Sequence, residues 1–303
     1  MIPVNIDDML PWGANVIRLQ VYPLAYDALS FENSWPIVLA DVVESVIIAR
    51  DRGIKVVVDV HGKPFVGFTH EQTTWKNPDF MSNYITVWQD IATSLIPYQD
   101  AIYGYDLINE PSCDDLPGSP GVDILRYFHV QLITAIREID QNVWIIYEPS
   151  VEIELWHENL QPFNDKRIIY SFHYYKPLKF THQGVDESHP YGVIFPATID
   201  AQWWDSDKIN QWLDLVVNFK NKYNVPVLFG EFSVIRWADS QSAQYWYKAL
   251  LDRLEIEGIS WCHHAWREYS GWNLEYEGGY NDLHPAVSET PEAALIKSYF
   301  SRN

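Results

Sequence analysis

Residues 102–147 read IYGYDLINEPSCDDLPGSPGVDILRYFHVQLITAIREIDQNVWIIY, and this stretch decides the fold class. It opens on an apolar run, Ile102 to Ile108, which ends on the polar pair Asn109-Glu110. Apolar residues then recur at a spacing of three and four in Ile124, Leu125, Phe128, Leu132, Ile133 and Ile136, and a second apolar run follows at Val143 to Tyr147. Nearly continuous apolar runs are the mark of strands buried on both faces, whereas the three-four spacing is one face of a helix. Strand, helix, strand in this order is the crossover unit of a parallel sheet.

The same unit recurs outward in both directions. Further runs lie at Asn15 to Val21, Ile54 to Val60, Ile168 to Phe172, Val225 to Phe229 and Ile259 to His263. Between them the helical spacing returns in Trp35, Val38, Leu39, Val42, Val43, Val46 and Ile47, and again in Phe80, Tyr84, Val87, Trp88, Ile91 and Leu95. It returns once more in Ile209, Leu213, Val216 and Val217, and in Ala243, Trp246, Leu250 and Leu254. Without a linker or shift in composition, regular alternation predicts one closed α/β barrel, a (β/α)8 TIM barrel, over residues 1–303. Seven strands are visible where the barrel has eight, so the chain is expected to lack the first β-strand. Asn5 is placed to cap a short helix over Ile6 to Trp12, and only Ile2 to Val4 precede it. A trimmed front, closure by another segment, or a strand lent by a partner chain would each account for the gap. The last makes a homo-oligomer, because unpaired edges invite association.

The 303 residues are 47% hydrophobic and 20% charged, which describes a chain with material for a core and excludes disorder and fibrous repeats. No apolar stretch reaches the length of a membrane helix. A net charge of −20 repels phosphate backbones and anionic lipid, so neither nucleic acid nor membrane is the expected partner. The start, Met1 to Asn5, has no basic stretch followed by an apolar run, so a secretory signal is expected to be either absent or already removed. Aromatic residues make up 15% of the chain, most of them expected in the core and a surplus in a groove. Cys113 and Cys262 are too few for a disulfide framework and read as free thiols.

Catalytic side chains of parallel barrels cluster at the C-terminal strand ends, and here those ends are polar. Arg18, His61, Asn109-Glu110, His173 with Tyr175, and Glu231 all stand there. Two glutamates at one mouth are what glycosidic cleavage requires, one protonated to assist the leaving oxygen and one ionised. Either alone would also read as a structural ion pair. A retaining mechanism needs the pair separated by about 5 Å. No Walker loop, dinucleotide fingerprint, serine elbow or helical zinc motif is present.

Asn109-Glu110-Pro111, His173-Tyr174-Tyr175 and Gly230-Glu231-Phe232 resemble the retaining glycoside hydrolases of family 5, within the clan of (β/α)8 glycosidases. The likeness runs from Trp12 to the end of the chain. It implies a cellulase or endoglucanase that cleaves β-1,4-linked glucan without a cofactor. β-Mannanase, β-glucosidase or exo-glucanase action is the rival specificity, and a non-catalytic carbohydrate binder is the rival of another class. It implies Glu110 as acid/base, Glu231 as nucleophile and Asn109 at the sugar 2-hydroxyl. Arg18 would pair with the nucleophile and keep it ionised, and Tyr175 would donate to the same carboxylate. His61 and His173 would bind sugar hydroxyls; no Cys or carboxylate stands at ligand spacing around either, so no metal site is expected. The stacking aromatic after the last strand is assigned to Trp266, although His264 fits many members' spacing more closely; Trp261 reads as core, and Trp272 is a further stacking candidate. The resemblance also implies secretion or a periplasmic location. The stretch from Phe180 to Asp205, opening Phe-Thr-His-Gln-Gly, reads as a wall of the substrate cleft or as a packed loop. Glu148 and Asp59 are weaker candidates, as cleft lining and as orienting group.

Overall fold

The computed structural model describes residues 6–25, 29–62, 78–111, 119–149 and 160–302. The expected segment Ile2 to Val4, the Asn5 cap and Cys113 lie outside these residues. The chain forms two compact units, Met1–Ser171 and Phe172–Asn303.

In the first unit a parallel sheet runs in sequence order through β1 (Val16–Val21), β2 (Lys55–Val60), β3 (Ile102–Asp106), β4 (Ile145–Tyr147) and β5 (Ile168–Tyr174). The last of these carries the chain into the second unit. The register places Gln20 beside Asp59 and Asp59 beside Asp106, so neighbouring strands present polar groups at one level. Between β2 and β3 the register slips after Val56, where Val57 faces Gly104 instead of Tyr103. A Cβ at Gly104 would lie 3.0 Å from the Ile146 side chain and 3.1 Å from the Trp144 carbonyl, so glycine permits the close approach.

Helices Phe31–Asp51, Pro78–Leu95 and Ser119–Arg137 follow β1, β2 and β3. Of the periodic residues, Trp35, Val38, Val42 and Val46 are buried in the first helix while Leu39, Val43 and Ile47 are half-buried, and Phe80, Tyr84, Val87, Trp88, Ile91 and Leu95 are all buried in the second. The Trp88 indole also donates to the Leu107 carbonyl at 3.0 Å, which satisfies its only polar group inside the core.

In the second unit β8 (Val227–Phe232) pairs in parallel with β9 (Ser260–Trp261). Two helices, Ser206–Tyr223 and Ser240–Ile256, begin at aspartate caps: Asp205 accepts from the Lys208 amide at 3.0 Å and Asp239 from the Ser242 amide at 2.9 Å. Asn224 ends the first in the left-handed conformation and Pro226 follows, so β8 starts at Val227 and not at Val225. It extends through Phe232, which puts Glu231 inside the strand. A short helix, Leu178–Thr181, leads into the Phe180 to Asp205 segment, which holds a hairpin of β6 (Ala197–Ile199) with β7 (Gln202–Trp204). Its two-residue turn, Asp200-Ala201, has φ of 51° and 59°, a primed turn formed without glycine. Two-residue strands β10 (Tyr276–Glu277) and β11 (His284–Pro285) and the helix Pro291–Phe300 complete the unit.

All seven expected runs are strands. Cys262 is half-buried, and no helix among the described residues is long and apolar enough to cross a membrane.

His129, on Ser119–Arg137, is fully buried; its Nδ1 donates to the Leu125 carbonyl at 2.8 Å and its ring meets Tyr147 edge-on at 4.7 Å. Burial pushes its pKa down from 6.5 to about 4. The folded state therefore refuses a proton that the unfolded chain accepts. This residue's contribution to stability is intact above pH 6.5 and is lost as the pH falls from there toward 4, at on the order of 1 kcal/mol per pH unit. Urea unfolding of His129→Gln beside the parent chain is expected to show their stability difference shrinking between pH 7 and pH 5; a constant difference would exclude the buried neutral imidazole.

Candidate active site

Each unit carries its own cluster of the expected residues. In the first unit the centre is Arg18, which projects from β1 with only 5% of its side chain exposed. Its Nε donates to Asp106 at 2.9 Å, its Nη1 lies 3.1 Å from Asp59, and its Nη2 donates to Asn109 Oδ1 and Glu148 Oε1 at 3.0 Å each. Guanidinium geometry is suited to this, since its five donors spread in one rigid plane. Burial and the charge of Glu148 push the Asp59 carboxyl up, against the pull of Arg18 and His61.

The Asn109 amide spans two of these groups. Its Oδ1 accepts from Arg18 and its Nδ2 stands 3.3 Å from His61 Nε2, while His61 Nδ1 stands 2.8 Å from Asp59. An amide nitrogen only donates, so His61 Nε2 accepts and the proton sits on Nδ1, directed at Asp59. Asp59, noted in the sequence as an orienting group, therefore fixes the ring's tautomer.

Glu110 follows immediately, exposed and with φ of 42°. A non-glycine residue in the left-handed region carries a cost of about 1–3 kcal/mol and persists where surrounding contacts hold it. Here the Glu110 amide leaves the strand ladder and donates to Glu148 Oε2 at 2.8 Å. Glu148 thus joins Arg18 to the backbone of Glu110.

In the second unit the centre is Glu231, 4% exposed within β8. The Tyr175 hydroxyl donates to Glu231 Oε2 at 2.9 Å, the contact expected from the sequence. His173 Nδ1 and His264 Nδ1 stand 3.8 and 3.7 Å from the same oxygen. The Tyr175 ring is enclosed by His182 at 5.0 Å, Trp272 at 6.1 Å and His264 at 6.4 Å between centroids.

The Phe-Thr-His-Gln-Gly run builds this enclosure. Thr181 Oγ1 donates to the Tyr175 carbonyl and meets His182 Nδ1 at 2.9 Å. The buried Gln183 amide donates to the Phe180 and Val193 carbonyls at 3.0 Å and accepts from the Gly192 and Val193 amides at 2.9 and 3.2 Å. That side chain ties the start of the segment to Gly192 and Val193 near its middle. Gly184, at φ 74°, lies so close to the Tyr191 ring that a Cβ would overlap it.

Of the aromatic candidates, Trp261 is core, stacked on Phe300 at 5.0 Å. Trp266 is half-buried, with the Arg267 guanidinium 4.6 Å from its ring. Trp272 is the tryptophan packed against Tyr175 and His264. Asp106 escaped the sequence reading, although a charge inside an apolar run needs a buried partner and was therefore a usable signal.

The chain matches the family model described as Cellulase (glycosyl hydrolase family 5) over residues 5–270. It is 25% identical to Endoglucanase C of Acetivibrio thermocellus over 240 residues, 68% of this chain and 66% of the relative, just under two thirds of that protein's length. It is likewise 25% identical to Cellodextrinase A of Ruminococcus flavefaciens over 282 residues, 84% of this chain and 75% of that one. Among solved structures, Thermotoga maritima Cel5A in complex with mannotriose aligns with a TM-score of 0.74 at 19% identity, covering 99% of this chain and 90% of its own. At that identity the likeness concerns the fold, which is the (β/α)8 class expected from the sequence.

Removing the Arg18 guanidinium would leave buried carboxylates uncompensated. Arg18→Met is expected to lower the unfolding free energy by about 3–5 kcal/mol, read from urea denaturation. A change below about 1 kcal/mol would mean that the three acids do not depend on this cation.

Proposed function

The chain belongs to glycosyl hydrolase family 5, and from that premise we propose that it hydrolyses β-1,4-linked glucan by double displacement, with retention at the anomeric carbon. Residues 1–303 serve this reaction as one catalytic domain, in which Glu110 and Glu231 act on the same glycosidic bond.

The roles rest on the contrast between the two glutamates' surroundings. Glu231 is buried in a strand and held by a phenolic donor, which suits a nucleophile that must meet one carbon from one direction. Glu110 is exposed on a strand end with its backbone pinned, which suits a group that must reach the leaving oxygen and later a water. In the first step the Glu231 carboxylate attacks the anomeric carbon, the bond to the leaving oxygen breaks, and Glu110 gives that oxygen its proton. In the second, Glu110 takes a proton from water, the water oxygen attacks the same carbon, and the ester to Glu231 is released. Asn109, oriented by Arg18 and His61, holds the 2-hydroxyl, and His173 binds a neighbouring hydroxyl; His61, with its two ring nitrogens taken up by Asp59 and Asn109, acts by orienting Asn109. Trp266 and Trp272 offer indole faces to the C–H face of a sugar ring.

A glucan substrate is favoured by the names of the endoglucanase and cellodextrinase relatives. A mannan substrate is the second reading, since a protein of like fold has been solved with mannotriose. Reducing-sugar release from a soluble β-glucan beside a β-mannan separates the two; release from neither would leave the carbohydrate-binding alternative.

Glu110→Gln is expected to lower kcat on polysaccharide by roughly 10²–10⁴-fold, and Glu231→Gln by more, with folding unchanged by circular dichroism. Azide added to Glu231→Ala should yield the inverted glycosyl azide, because the small anion takes the place of the nucleophile. Near-parental turnover in either Gln variant would end the assignment.

A further inference from the structure

Glu148 is a buried carboxylate that the reaction as written does not use. It stands just beyond β4, 4% exposed, and its two oxygens are committed to different tasks. Oε1 accepts from Arg18 Nη2 at 3.0 Å, and Oε2 accepts from the Glu110 backbone amide at 2.8 Å. Arg18 already has Asp59 at 3.1 Å and Asp106 at 2.9 Å, so a third carboxylate exceeds what charge balance asks for. A purely compensating acid would also have no reason to direct its second oxygen at a main-chain amide. That amide belongs to the residue with φ of 42°, the backbone conformation here that most needs an external hold.

Resting on the acid/base assignment of Glu110, we propose that Glu148 is the positioning residue of the general acid. It transmits the fixed location of Arg18 to the Glu110 main chain and thereby sets where that carboxyl departs from the strand end. Asn109, the adjacent residue, is held by the same Arg18 nitrogen, so one guanidinium sets the approach of two consecutive side chains.

The test compares aryl β-cellobiosides whose leaving groups differ in their need for a proton. Phenyl cellobioside requires general acid assistance; dinitrophenyl cellobioside leaves without it. For Glu148→Ala, kcat/KM is expected to fall about 100-fold on the phenyl substrate and by less than about 3-fold on the dinitrophenyl one. Azide should raise kcat of this variant on the dinitrophenyl substrate and give the retained glycosyl azide, as it does when base assistance to water is lost. Equal losses on both substrates would overturn the proposal, because a general loosening of structure does not discriminate between leaving groups. Glu110→Gln is run beside it. If that variant shows the split and Glu148→Ala does not, the positioning role alone falls. If Glu110→Gln shows none, the acid/base reading falls and takes this proposal with it. Should Glu148→Ala fail to fold, the near-isosteric Glu148→Gln is read in the same way, with a split of about 10-fold expected and parallel losses again decisive.

Discussion

One guanidinium organises the first unit. Arg18 is buried, and so are Asp59, Asp106 and Glu148 around it. A cluster of this kind is a poor source of stability, because desolvating charges costs as much as or more than their attraction returns, and apolar residues of like volume often serve better. What the cluster supplies is placement. A planar cation with rigid donors can hold groups from different strands in one fixed relation, and the groups it holds include Asn109 and, through Glu148, the backbone of Glu110. The parallel register makes this possible by bringing Asp59 and Asp106 to the same level on adjacent strands.

The second unit holds its glutamate by different means. The Glu231 oxygen meets a tyrosine hydroxyl and two imidazoles, with aromatic rings packed behind the tyrosine. Rings fix position through shape and edge-to-face contact. The segment that supplies His182 is itself fastened by Gln183, whose amide donates to the Phe180 and Val193 carbonyls and accepts from the Gly192 and Val193 amides. A neutral side chain buried with its hydrogen bonds met costs far less than a buried charge would.

The sequence disclosed the strands well, because strands buried on both faces have no polar alternation to confuse with another pattern. Strand limits were less legible. Pro226 lacks an amide for the ladder, which delays β8 to Val227, while the polar residue Glu231 lies within the strand where a hydrophobic run would be taken to have ended. The hairpin β6–β7 was hidden because Asp200-Ala201 adopts positive φ without the glycine that usually announces such a turn. Of the three acids around Arg18, the sequence reading noted Asp59 as an orienting group and Glu148 as cleft lining, and it passed over Asp106. Asp106 sits in the middle of an apolar run, and Glu148 carries no local signature; their meaning depends on a partner, Arg18, that is 88 and 130 residues away in sequence.

The aromatic surplus resolves in the same terms. Large rings such as Trp88, Trp246, Tyr84 and Tyr174 are fully buried and account for most of the excess as packing. Trp246 shows the condition attached to that use: its indole nitrogen donates to the Lys176 carbonyl at 2.9 Å, so the ring enters the core without an unmet donor. Placing bulky rings in the core leaves strand-end positions for polar chemistry, and those positions are fixed by main-chain ladders shared with the core. Geometry set in that way is common to many reactions on many sugars. Glucan and mannan differ in the orientation of the 2-hydroxyl, so in the proposed reaction discrimination between them falls first on Asn109, the side chain assigned to that group, and then on the loops around it.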